Sequence, residues 1–376
     1  MTVFAAVAGG GTSGHVLPAL AIVDALVERG IDRSEILYLG AERGVETSLV
    51  PPTGTPHVFF DVVGLQRSKR AWRANLGFVP RLVRARRLAL GMFAADRPRV
   101  VVSVGGYASL PAVLAARAAN IPIVVVSYDR RPGRASRVTA RFATVSATAF
   151  PDSDLPRAVP TGAPVRSSIR HLDRVAERDE ARRRLDLPLD RFVVAVVGGS
   201  LGSGALNDAV ESLVRQCTDD SGLAVFHVAG DRFVDAVQER MERIVTSDAR
   251  IVHRVVGYHS QMEDLYAAAD LLVGRGGAGT IAEISTVGVP SILVPWSGAA
   301  DDHQTDNVRW LTDADAAIAL TDETVVDRLP VVIGELREHP DRLAAIGRRA
   351  HALGEENRRA AVADLVISSA EEATAE

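Results

Sequence analysis

Glycine-rich turns that follow apolar runs recur in this chain of 376 residues, and such turns can bind an anionic ligand. The most informative place is the segment from Leu271 to Asn307, in which an apolar run ends in the turn Gly274 to Gly279, and Thr280 and Glu283 follow. Free backbone N–H groups and the helix dipole at a strand–turn–helix junction suit a phosphate group. Gln304 follows the next apolar run, so we expect it at the same edge of a parallel sheet.

Glu283 has two interpretations. Thr280 and Glu283 match a capping box, in which the glutamate binds the backbone amide of the residue that opens the helix. Alternatively, the Glu283 carboxylate accepts hydrogen bonds from the two hydroxyls of a ribose whose phosphates lie over the glycine turn. The Asp-Asp-His sequence at 301–303 lacks a second cluster with suitable spacing, so we expect no metal site. Gln304 offers both a donor and an acceptor, as recognition of sugar hydroxyls requires.

The first glycine turn, Gly9 to Gly14, matches the G-x-G-x-x-G pattern. An acidic residue about 20 positions on, which a dinucleotide-binding unit would place against the ribose, is missing at the end of the second apolar run. His15 follows the turn directly, with Pro18 in the predicted first turn of a helix. Because a helix N-terminus lowers the pKa of a histidine, we expect a neutral His15 that can accept a proton; a capping or packing role is the alternative.

A third turn, Gly198 to Gly202, also lies between an apolar run and a predicted helix. It either holds a phosphate through Gly199, Ser200 and neighbouring amides or is a plain connection between strand and helix. Its recurrence beside the turn at Gly274 favours phosphate binding.

These turns are positioned by short apolar runs that alternate with longer amphipathic segments. Continuous apolar strands indicate a sheet covered on both faces, and hence a parallel βαβ architecture. The length predicts two domains, which we place at 1–165 and 166–345, with a C-terminal helix and acidic tail over 346–376. We therefore predict an α/β fold of two doubly wound domains whose strand ends face one interdomain cleft. The main predicted strands are Val3–Ala8, Ile36–Leu39, Val100–Val104, Ile121–Val126, Phe192–Val197, Ala224–Ala229, Ile251–Val255, Leu271–Val273 and Ser291–Val294.

The composition, with 5% aromatic and 24% charged residues, is typical of a soluble α/β protein. A single cysteine, Cys217, cannot form an internal disulfide, which favours a reducing cytoplasm. The first apolar run is too short to span a membrane and lacks the basic start of a secretion signal. The net charge of -4 does not favour nucleic acid as a partner of the whole chain.

Residues 62–95 nevertheless contain no acidic side chain, while eight basic ones lie there. Pro80 is predicted to start a helix. A basic surface with an apolar face suits adsorption to anionic lipid, at about 1 kcal/mol per cation. An ordinary solvated helix is the alternative, and RNA binding is disfavoured because aromatic side chains for stacking are scarce. The predicted membrane-facing residues are Trp72, Leu76, Phe78, Val79, Arg81 and Arg84.

Taken together, these segments resemble the MurG family over nearly the whole chain. The motifs that carry the resemblance are GGGTSGHVLPALA at 9–21, VGGYASLPA at 104–112, GAPVR at 162–166, GGSLGSGALN at 198–207, the block 274–295 and DDHQTDN at 301–307. The resemblance implies a two-domain GT-B fold and an inverting hexosyltransferase that transfers N-acetylglucosamine (GlcNAc) from UDP-GlcNAc to undecaprenyl-pyrophosphoryl-MurNAc-pentapeptide (lipid I). It also implies the product lipid II of peptidoglycan synthesis, no metal or other cofactor, and a peripheral position at the cytoplasmic face of the cell membrane.

The resemblance assigns residues to both substrates. Residues 251–262 are implied around uracil, and His15 is our first candidate for easing proton removal, with orientation of the acceptor as the alternative. The implied donor-binding residues are Thr12, Ser13, Gly14, Arg166, Gly199, Ser200, Gly276, Ala278, Gly279, Thr280, Glu283 and Gln304. The acceptor-side residues are Gly11, Gly105, Gly106 and Tyr107.

The chain departs from the family after the strand that ends near Val126. Where the family has His-Glu-(Gln/Ala)-Asn, this chain has Val-Ser-Tyr-Asp at 126–129, and Ala163 replaces an asparagine before the Pro-Val-Arg unit. On position alone, Asp129 is a second catalytic candidate, and Arg130 and Arg131 are candidates for an acceptor pyrophosphate. The altered loop leaves two further functions open, a transferase with another lipid or small-molecule acceptor and a nucleotide-sugar-binding protein without transferase activity. The sequence predicts no oligomeric state.

Overall fold

The computed structural model describes residues 3–64, 77–199, 201–299 and 302–375 and divides the chain into two compact units. The N-terminal unit contains residues 1–167 and 356–376, and the C-terminal unit contains residues 168–355. The first division lies two residues from the predicted one. The end of the chain differs from the prediction of a separate segment over 346–376, because residues 346–355 belong to the C-terminal unit and the remainder returns to the N-terminal unit.

The N-terminal unit is built on a seven-stranded parallel sheet in the order β3-β2-β1-β4-β5-β6-β7. Ala5 of the central strand pairs with Ile36 on one side and Val100 on the other, and all three side chains are buried. The strands are β1 Ala5–Ala8, β2 Ile36–Ala41, β3 His57–Phe60, β4 Val100–Ser103, β5 Ile123–Ser127, β6 Val145–Thr148 and β7 Ala158–Pro160.

Helices of the N-terminal unit pack on this sheet through alanine, valine and phenylalanine side chains, among them Ala85, Ala89 and Phe93 of α3. The helices are α1 Ser13–Glu28, α2 Glu46–Leu49, α3 Phe78–Ala95, α4 Leu110–Ala118, α5 Arg134–Thr139, and the C-terminal α15 Glu355–Arg359 and α16 Ala361–Ala375. The helix α6, Ser167–Arg170, begins at the division between the units.

The C-terminal unit has a six-stranded parallel sheet in the order β10-β9-β8-β11-β12-β13. Both faces of its central strand are covered, because Val194 packs in one core cluster with Leu213 and Val193 packs in another with Leu265. This explains the continuous apolar run that predicted the strand. The strands are β8 Phe192–Val197, β9 Leu223–Val228, β10 Val252–Val256, β11 Leu271–Gly274, β12 Ser291–Leu293 and β13 Ile318–Ala319.

The helices of the C-terminal unit include one charged segment that is held by a buried arginine. Arg182 is fully buried, donates hydrogen bonds to backbone carbonyls that include Ala268 O at 3.0 Å, and pairs with Asp270 at 2.7 Å. The helices are α7 Arg174–Arg184, α8 Gly204–Gln216, α9 Val234–Glu242, α10 Met262–Ala268, α11 Ala278–Val287, α12 His303–Thr312, α13 Val325–Glu338 and α14 Pro340–Leu353.

Strand order reverses once in each sheet, between β1 and β4 and between β8 and β11. Ligands bind outside the carboxyl ends of parallel strands at such a switch point. The turns at Gly9–Gly14 and Gly105–Gly106 follow β1 and β4, and those at Gly198–Gly202 and Gly274–Gly279 follow β8 and β11. Each sheet therefore places a pair of glycine turns where a ligand site is expected.

Three helices begin earlier than the sequence predicted. Helix α11 begins at Ala278 after the extended residue Gly277, so Thr280 is its third residue, and the capping box predicted there is wrong. Pro18 lies well inside α1 instead of in its first turn, and Pro80 is the third residue of α3. Four short strands, β3, β6, β7 and β13, were not among the main predicted strands.

Candidate active site

A pocket of about 350 Å³ lies at the switch point of the C-terminal unit. The turns after β8 and β11 form its walls, and Gly199 and Gly202 have positive φ angles of 83° and 67°, which L side chains rarely adopt. The lining residues are Gly198, Gly199, Leu201, Gly202, Ser203, Gly204, Arg232, Arg275, Gly277, Thr280, Trp296 and Gln304.

Two helices begin at this pocket. Helix α11 has Gly277 as its N-cap residue, which has no side chain to satisfy the first backbone amides, and Ala278, Gly279 and Thr280 form its first turn. Helix α8 is capped by Ser203, whose hydroxyl accepts from Leu206 N at 3.2 Å. Amides left without a partner at a helix start attract an anion, so the α11 N-terminus is the stronger anion-binding end.

Two arginines add positive charge to the pocket and differ in their surroundings. The Arg275 side chain is 12% exposed, forms an ion pair with Asp322 at 2.6 Å and donates to Ser203 Oγ. Arg232 is exposed, and its guanidinium lies 4.5 Å from the centre of the Phe233 ring. Within the described parts of the chain, no carboxylate lies within ion-pair distance of Arg232, so its charge remains available to a ligand.

Two polar side chains predicted to recognise a nucleotide sugar are held by neighbours. The buried Tyr266 hydroxyl donates a hydrogen bond of 2.6 Å to Glu283 Oε2, which orients the half-buried carboxylate. Gln304 Oε1 accepts from the Trp296 backbone N–H at 2.9 Å. Gln304 also lines the pocket, so a ligand there could accept hydrogen bonds from its N–H₂ group.

Gly276 is required by the packing of this turn. Its carbonyl accepts from Asn307 Nδ2 at 3.3 Å, and a Cβ atom at this position would lie 2.6 Å from Val308 Cγ2. The glycine thus lets helix α12, which carries Gln304, approach the turn after β11 closely.

A second group of predicted residues comes together at the switch point of the N-terminal unit. A Cβ atom on Gly106 would lie 2.5 Å from Gly10 O, and one on Gly105 would lie 3.1 Å from the His15 ring. A Cβ atom on Gly11 would lie 2.7 Å from Tyr107 Cε1, so the tyrosine ring packs closely over this glycine. Residues from two separate turns therefore enclose one face of the His15 imidazole.

His15 is held in a fixed orientation by its neighbour. Its Nδ1 lies 3.1 Å from Thr12 Oγ1, which leaves Nε2 as the ring nitrogen available to a substrate. Burial lowers the pKa of His15, and the carboxylates of Asp129 and Glu46 partly oppose this effect. The direction agrees with the sequence prediction, but burial rather than the helix N-terminus is the main cause.

The loop at 126–131, which does not match the family pattern that the sequence resemblance implied, reaches the same histidine. Asp129 acts electrostatically on His15 and lines the same cavity. Arg130 forms an ion pair with Asp152 at 3.4 Å, and Arg131 is exposed. Asp129 is therefore placed to influence a proton transfer at His15, whereas Arg130 already has a carboxylate partner.

Tyr128 in this loop supports helix α1. Its buried hydroxyl donates a hydrogen bond to the Gly14 carbonyl, which Pro18 cannot bond because it has no N–H. Burial raises the pKa of the Tyr128 hydroxyl, so the group stays protonated and remains a donor. A side chain at the divergent position thus completes the hydrogen bonding of the helix that carries His15.

These residues line a cavity of about 510 Å³ whose wall is mainly apolar. Phe78, predicted to face a membrane, is half-buried and lines this cavity. The cavity is also lined by His15, Gly106, Tyr107, Tyr128 and Asp129.

Helix α3 carries the described part of the basic segment. Val79 and Leu88 are exposed by 62% and 52%, and Arg84 is also exposed. Arg81 is half-buried and lies 3.6 Å from Asp61. The exposed face therefore combines apolar and basic side chains, although Phe78 and Arg81 are turned partly away from solvent.

The predicted donor residues divide between the two units. Thr12, Ser13, Gly14 and Arg166 belong to the N-terminal unit, the first three at the start of α1 beside His15. The remaining described members, Gly199, Gly276, Ala278, Gly279, Thr280, Glu283 and Gln304, belong to the C-terminal unit. Ser200, Trp72, Leu76 and Asp301 lie outside the described residues.

Sequence reasoning missed Glu46, Tyr266, Arg232 and Arg275. Arg275 lies within the glycine turn itself and Arg232 follows a strand at Gly230, so position relative to a strand end was the available signal for both. Glu46 and Tyr266 act through contacts with residues distant in sequence, which no local pattern records.

Among the described residues, no group of three or more histidine, cysteine, aspartate or glutamate side chains is arranged to hold a metal ion. None of the described helices is long and apolar enough to cross a membrane.

The sequence matches two domain families, the glycosyltransferase family 28 N-terminal domain over residues 5–148 and the glycosyltransferase family 28 C-terminal domain over residues 193–368. A protein of Desulforudis audaxviator is 34% identical, with 96% of each chain covered, and one of Clavibacter sepedonicus is 38% identical, with 97% of this chain and 96% of its own covered. Both are named UDP-N-acetylglucosamine--N-acetylmuramyl-(pentapeptide) pyrophosphoryl-undecaprenol N-acetylglucosamine transferase. The crystal structure of Acinetobacter baumannii MurG is similar with a TM-score of 0.72, 27% sequence identity, and coverage of 98% of this chain and 99% of that one.

Proposed function

This chain belongs to the glycosyltransferase 28 family of N-acetylglucosamine transferases, and we propose that it transfers GlcNAc from UDP-GlcNAc to the muramyl 4-hydroxyl of lipid I, forming lipid II. The observation that carries the proposal is the pocket of the C-terminal unit. The pocket combines a helix N-terminus whose cap residue has no side chain, an arginine with an available charge and the Gln304 amide. The oriented Glu283 carboxylate lies farther along the same helix. Positive charge suits a diphosphate, a carboxylate suits the ribose hydroxyls, and an amide suits the sugar hydroxyls.

The proposed donor site assigns a part of UDP-GlcNAc to each group. The first amides of α11 and the Arg232 guanidinium bind the diphosphate, because both offer positive charge to phosphate oxygens. Glu283 accepts from the ribose hydroxyls, and Gln304 donates to the hydroxyls of GlcNAc. Ser200 and Arg166 remain proposed nucleotide contacts.

The acceptor is proposed to bind the N-terminal unit at His15. The 4-hydroxyl oxygen attacks C1 of GlcNAc from the face opposite UDP, the bond from C1 to the diphosphate oxygen breaks, and UDP leaves with that electron pair. His15 Nε2 takes the hydroxyl proton, since burial lowers its pKa and keeps the ring neutral near pH 7. The Asp129 carboxylate stabilises the imidazolium that forms.

We propose that the protein, rather than a metal ion, stabilises the negative charge that develops on the departing UDP. Helix N-termini and guanidinium groups that are already oriented stabilise developing negative charge without reorganisation during the reaction. Arg275, whose charge is shared with Asp322, holds the turn and Ser203 in place, and Arg232 faces the diphosphate.

Helix α3 is the proposed contact with the cytoplasmic face of the cell membrane. Its exposed Val79, Val83 and Leu88 provide apolar area, while Arg84 and Arg87 attract anionic lipid headgroups. Changing Val79, Val83 and Leu88 to serine should reduce binding to vesicles that contain anionic lipid. Unchanged binding would assign the membrane contact to another surface.

The transfer reaction itself is tested with labelled UDP-GlcNAc and synthetic lipid I in detergent, with the lipid product separated by chromatography. We expect label in lipid II and release of one UDP per transfer. Because the loop at 126–131 differs from the family pattern, a panel of other polyprenyl and small-molecule acceptors is run beside it. Transfer only to another acceptor, or UDP-GlcNAc binding without any transfer, would contradict the proposal.

A further inference from the structure

We propose that Glu46 is a positioning residue of the acceptor-side site: its carboxylate fills the anion-binding position at the Gly11 amide and places a fixed negative charge near His15. The inference deepens the proposed function, on which it rests, because it concerns the histidine to which that function assigns the proton. It also changes the role expected for the first glycine turn.

Glu46 is fully buried at the start of α2 and binds two segments of backbone. Its Oε1 accepts from Ala41 N at 2.8 Å and from Gly11 N at 3.0 Å, and its Oε2 lies 3.2 Å from Gly11 N. One carboxylate oxygen therefore joins the end of strand β2 to the first glycine turn.

The surrounding glycines make room for this side chain. Cβ atoms on Gly10 and Gly44 would overlap the Glu46 carboxylate, and one on Gly40 would lie 3.1 Å from Glu46 Cγ. Three glycines from two segments thus surround one buried acid. Packing of this kind fixes where the carboxylate lies relative to the turn.

The charge is notable because a buried carboxylate is costly unless it is paired or well hydrogen-bonded. Among the described residues, no arginine or lysine lies within ion-pair distance of Glu46, and backbone N–H groups provide its hydrogen bonds. A glutamine could keep the two shorter bonds through Oε1 without a buried charge, and would lose only the longer contact between Oε2 and Gly11 N. We therefore assign a use to the charge itself.

The first consequence concerns the acceptor pyrophosphate. The family resemblance places Gly11 on the acceptor side. A free amide in a glycine turn there would suit a phosphate oxygen. That amide already donates to Glu46, and a second anion at the same position would be repelled. The turn at Gly10–Gly11 therefore packs against the segments that carry His15 and Tyr107, and we infer that it does not bind phosphate.

The second consequence concerns His15. Two carboxylates act on it, Glu46 from α2 and Asp129 after β5. The wall of the cavity that His15 lines also contains the hydroxyls of Tyr107 and Tyr128 and the guanidinium of Arg134 from α5. Burial lowers the pKa of His15, while the Asp129 and Glu46 carboxylates favour its protonated form. Glu46 thus helps to stabilise the imidazolium created by proton transfer, without contacting substrate.

The Glu46→Gln variant removes the charge and can keep both Oε1 hydrogen bonds, and exposed Glu42→Gln on the same segment is the matched control. NMR titration of histidine-labelled protein, with the His15 signal assigned from its loss in His15→Gln, should give a lower pKa for His15 in Glu46→Gln and no change in Glu42→Gln. This measurement requires no substrate, so its outcome stands even if transfer to lipid I is not observed. A His15 titration in Glu46→Gln that superimposes on the wild-type curve would overturn the proposal.

The pH dependence of kcat/KM provides the second readout. The acidic limb should move to lower pH in Glu46→Gln, because a neutral base persists further into acid, with kcat at pH 8 reduced less than about threefold. Glu46→Ala should lose about tenfold or more at every pH, because the turn itself shifts. Affinity for UDP should remain unchanged in both. Equal losses in the glutamine and alanine variants at every pH would contradict a role that glutamine partly preserves.

Discussion

The Tyr128 hydroxyl donates a hydrogen bond to the Gly14 carbonyl, the helix α1 acceptor that Pro18 leaves without its usual partner. Tyr128→Phe removes that donor. We expect a loss of about 1 kcal/mol in the free energy of unfolding, together with slower transfer, because the first turn of α1 carries His15. Urea unfolding and kcat at saturating donor test this. Stability and kcat equal to wild type would show that water replaces the hydroxyl.

Tyr266 supports Glu283 in the same indirect way. Without its hydroxyl in Tyr266→Phe, the Glu283 carboxylate loses the 2.6 Å hydrogen bond that orients it. UDP affinity should fall about five- to tenfold, as measured by calorimetry. Affinity for 2′-deoxy-UDP should fall less, since that ligand has one ribose hydroxyl fewer to recognise. A uniform loss for both ligands would place Glu283 away from the ribose.

The contribution of Arg232 to binding affinity should increase with the negative charge of the ligand. Arg232→Ala is expected to weaken UDP binding by about tenfold or more while changing uridine binding little, because the guanidinium meets only the phosphates. The affinity of the variant should also depend less on salt concentration. Arg243→Ala, an exposed arginine near the end of α9, is the control. Equal effects on UDP and uridine would contradict a diphosphate contact.

His15 and Asp129 are predicted to act on the proton. His15→Gln should lower kcat about 100-fold or more with UDP affinity unchanged, and Asp129→Asn should lower it by a smaller factor. Exposed His339→Gln is the control for a histidine change. Full activity in Asp129→Ala would remove Asp129 from the mechanism.

A pair of histidines, fully buried His227 and half-buried His253, should make the C-terminal unit sensitive to acid. His227 Nε2 lies 2.9 Å from Asn207 Oδ1, and its ring centre lies 5.7 Å from that of His253. Burial lowers the pKa of His227 to about 3 and that of His253 to about 4, and neighbouring positive charge adds to both effects. Between about pH 6.5, where an exposed histidine titrates, and these values, only the unfolded chain binds the protons.

The free energy of unfolding should therefore decrease as pH falls from about 6.5 towards 4, by up to about 1.4 kcal/mol per pH unit for each histidine. His253→Gln should make this decrease shallower because one titrating group is removed. Urea unfolding followed by circular dichroism at pH 7, 6 and 5 measures the slope. Parallel curves for wild type and variant would rule out His253 as a source of the acid sensitivity.

The central strands and their turns were predictable because continuous valine and leucine runs end in glycine. Phe192–Val197 and Leu271–Val273 are such runs, and the structure has strands β8 and β11 there. Edge strands such as His57–Phe60 and Ala158–Pro160 were missed because they are short and partly exposed, so their side chains carry little apolar pattern.

Helix starts were harder to predict because the capping interactions are not local. Gly277 precedes α11 as its N-cap residue and provides no side-chain cap, whereas one of the two interpretations of the sequence made Thr280 the cap and Glu283 its partner. The actual partner of Glu283 is Tyr266, from a different helix. Likewise, nothing in the short polar segment around Glu46 indicates that this acid is fully buried.

The return of residues 356–375 to the N-terminal unit makes that unit discontinuous, since α16 buries Val362 and Val366 and its Asp364 pairs with Arg29 of the α1 C-cap at 2.9 Å. During synthesis, the continuous C-terminal unit has all its residues once position 355 is made. The N-terminal unit is incomplete until residues 356–375, which include helix α16, have been added. The unit made first is therefore the one completed last. In a released chain that ends at position 355, the C-terminal unit should resist protease and the N-terminal unit should be susceptible.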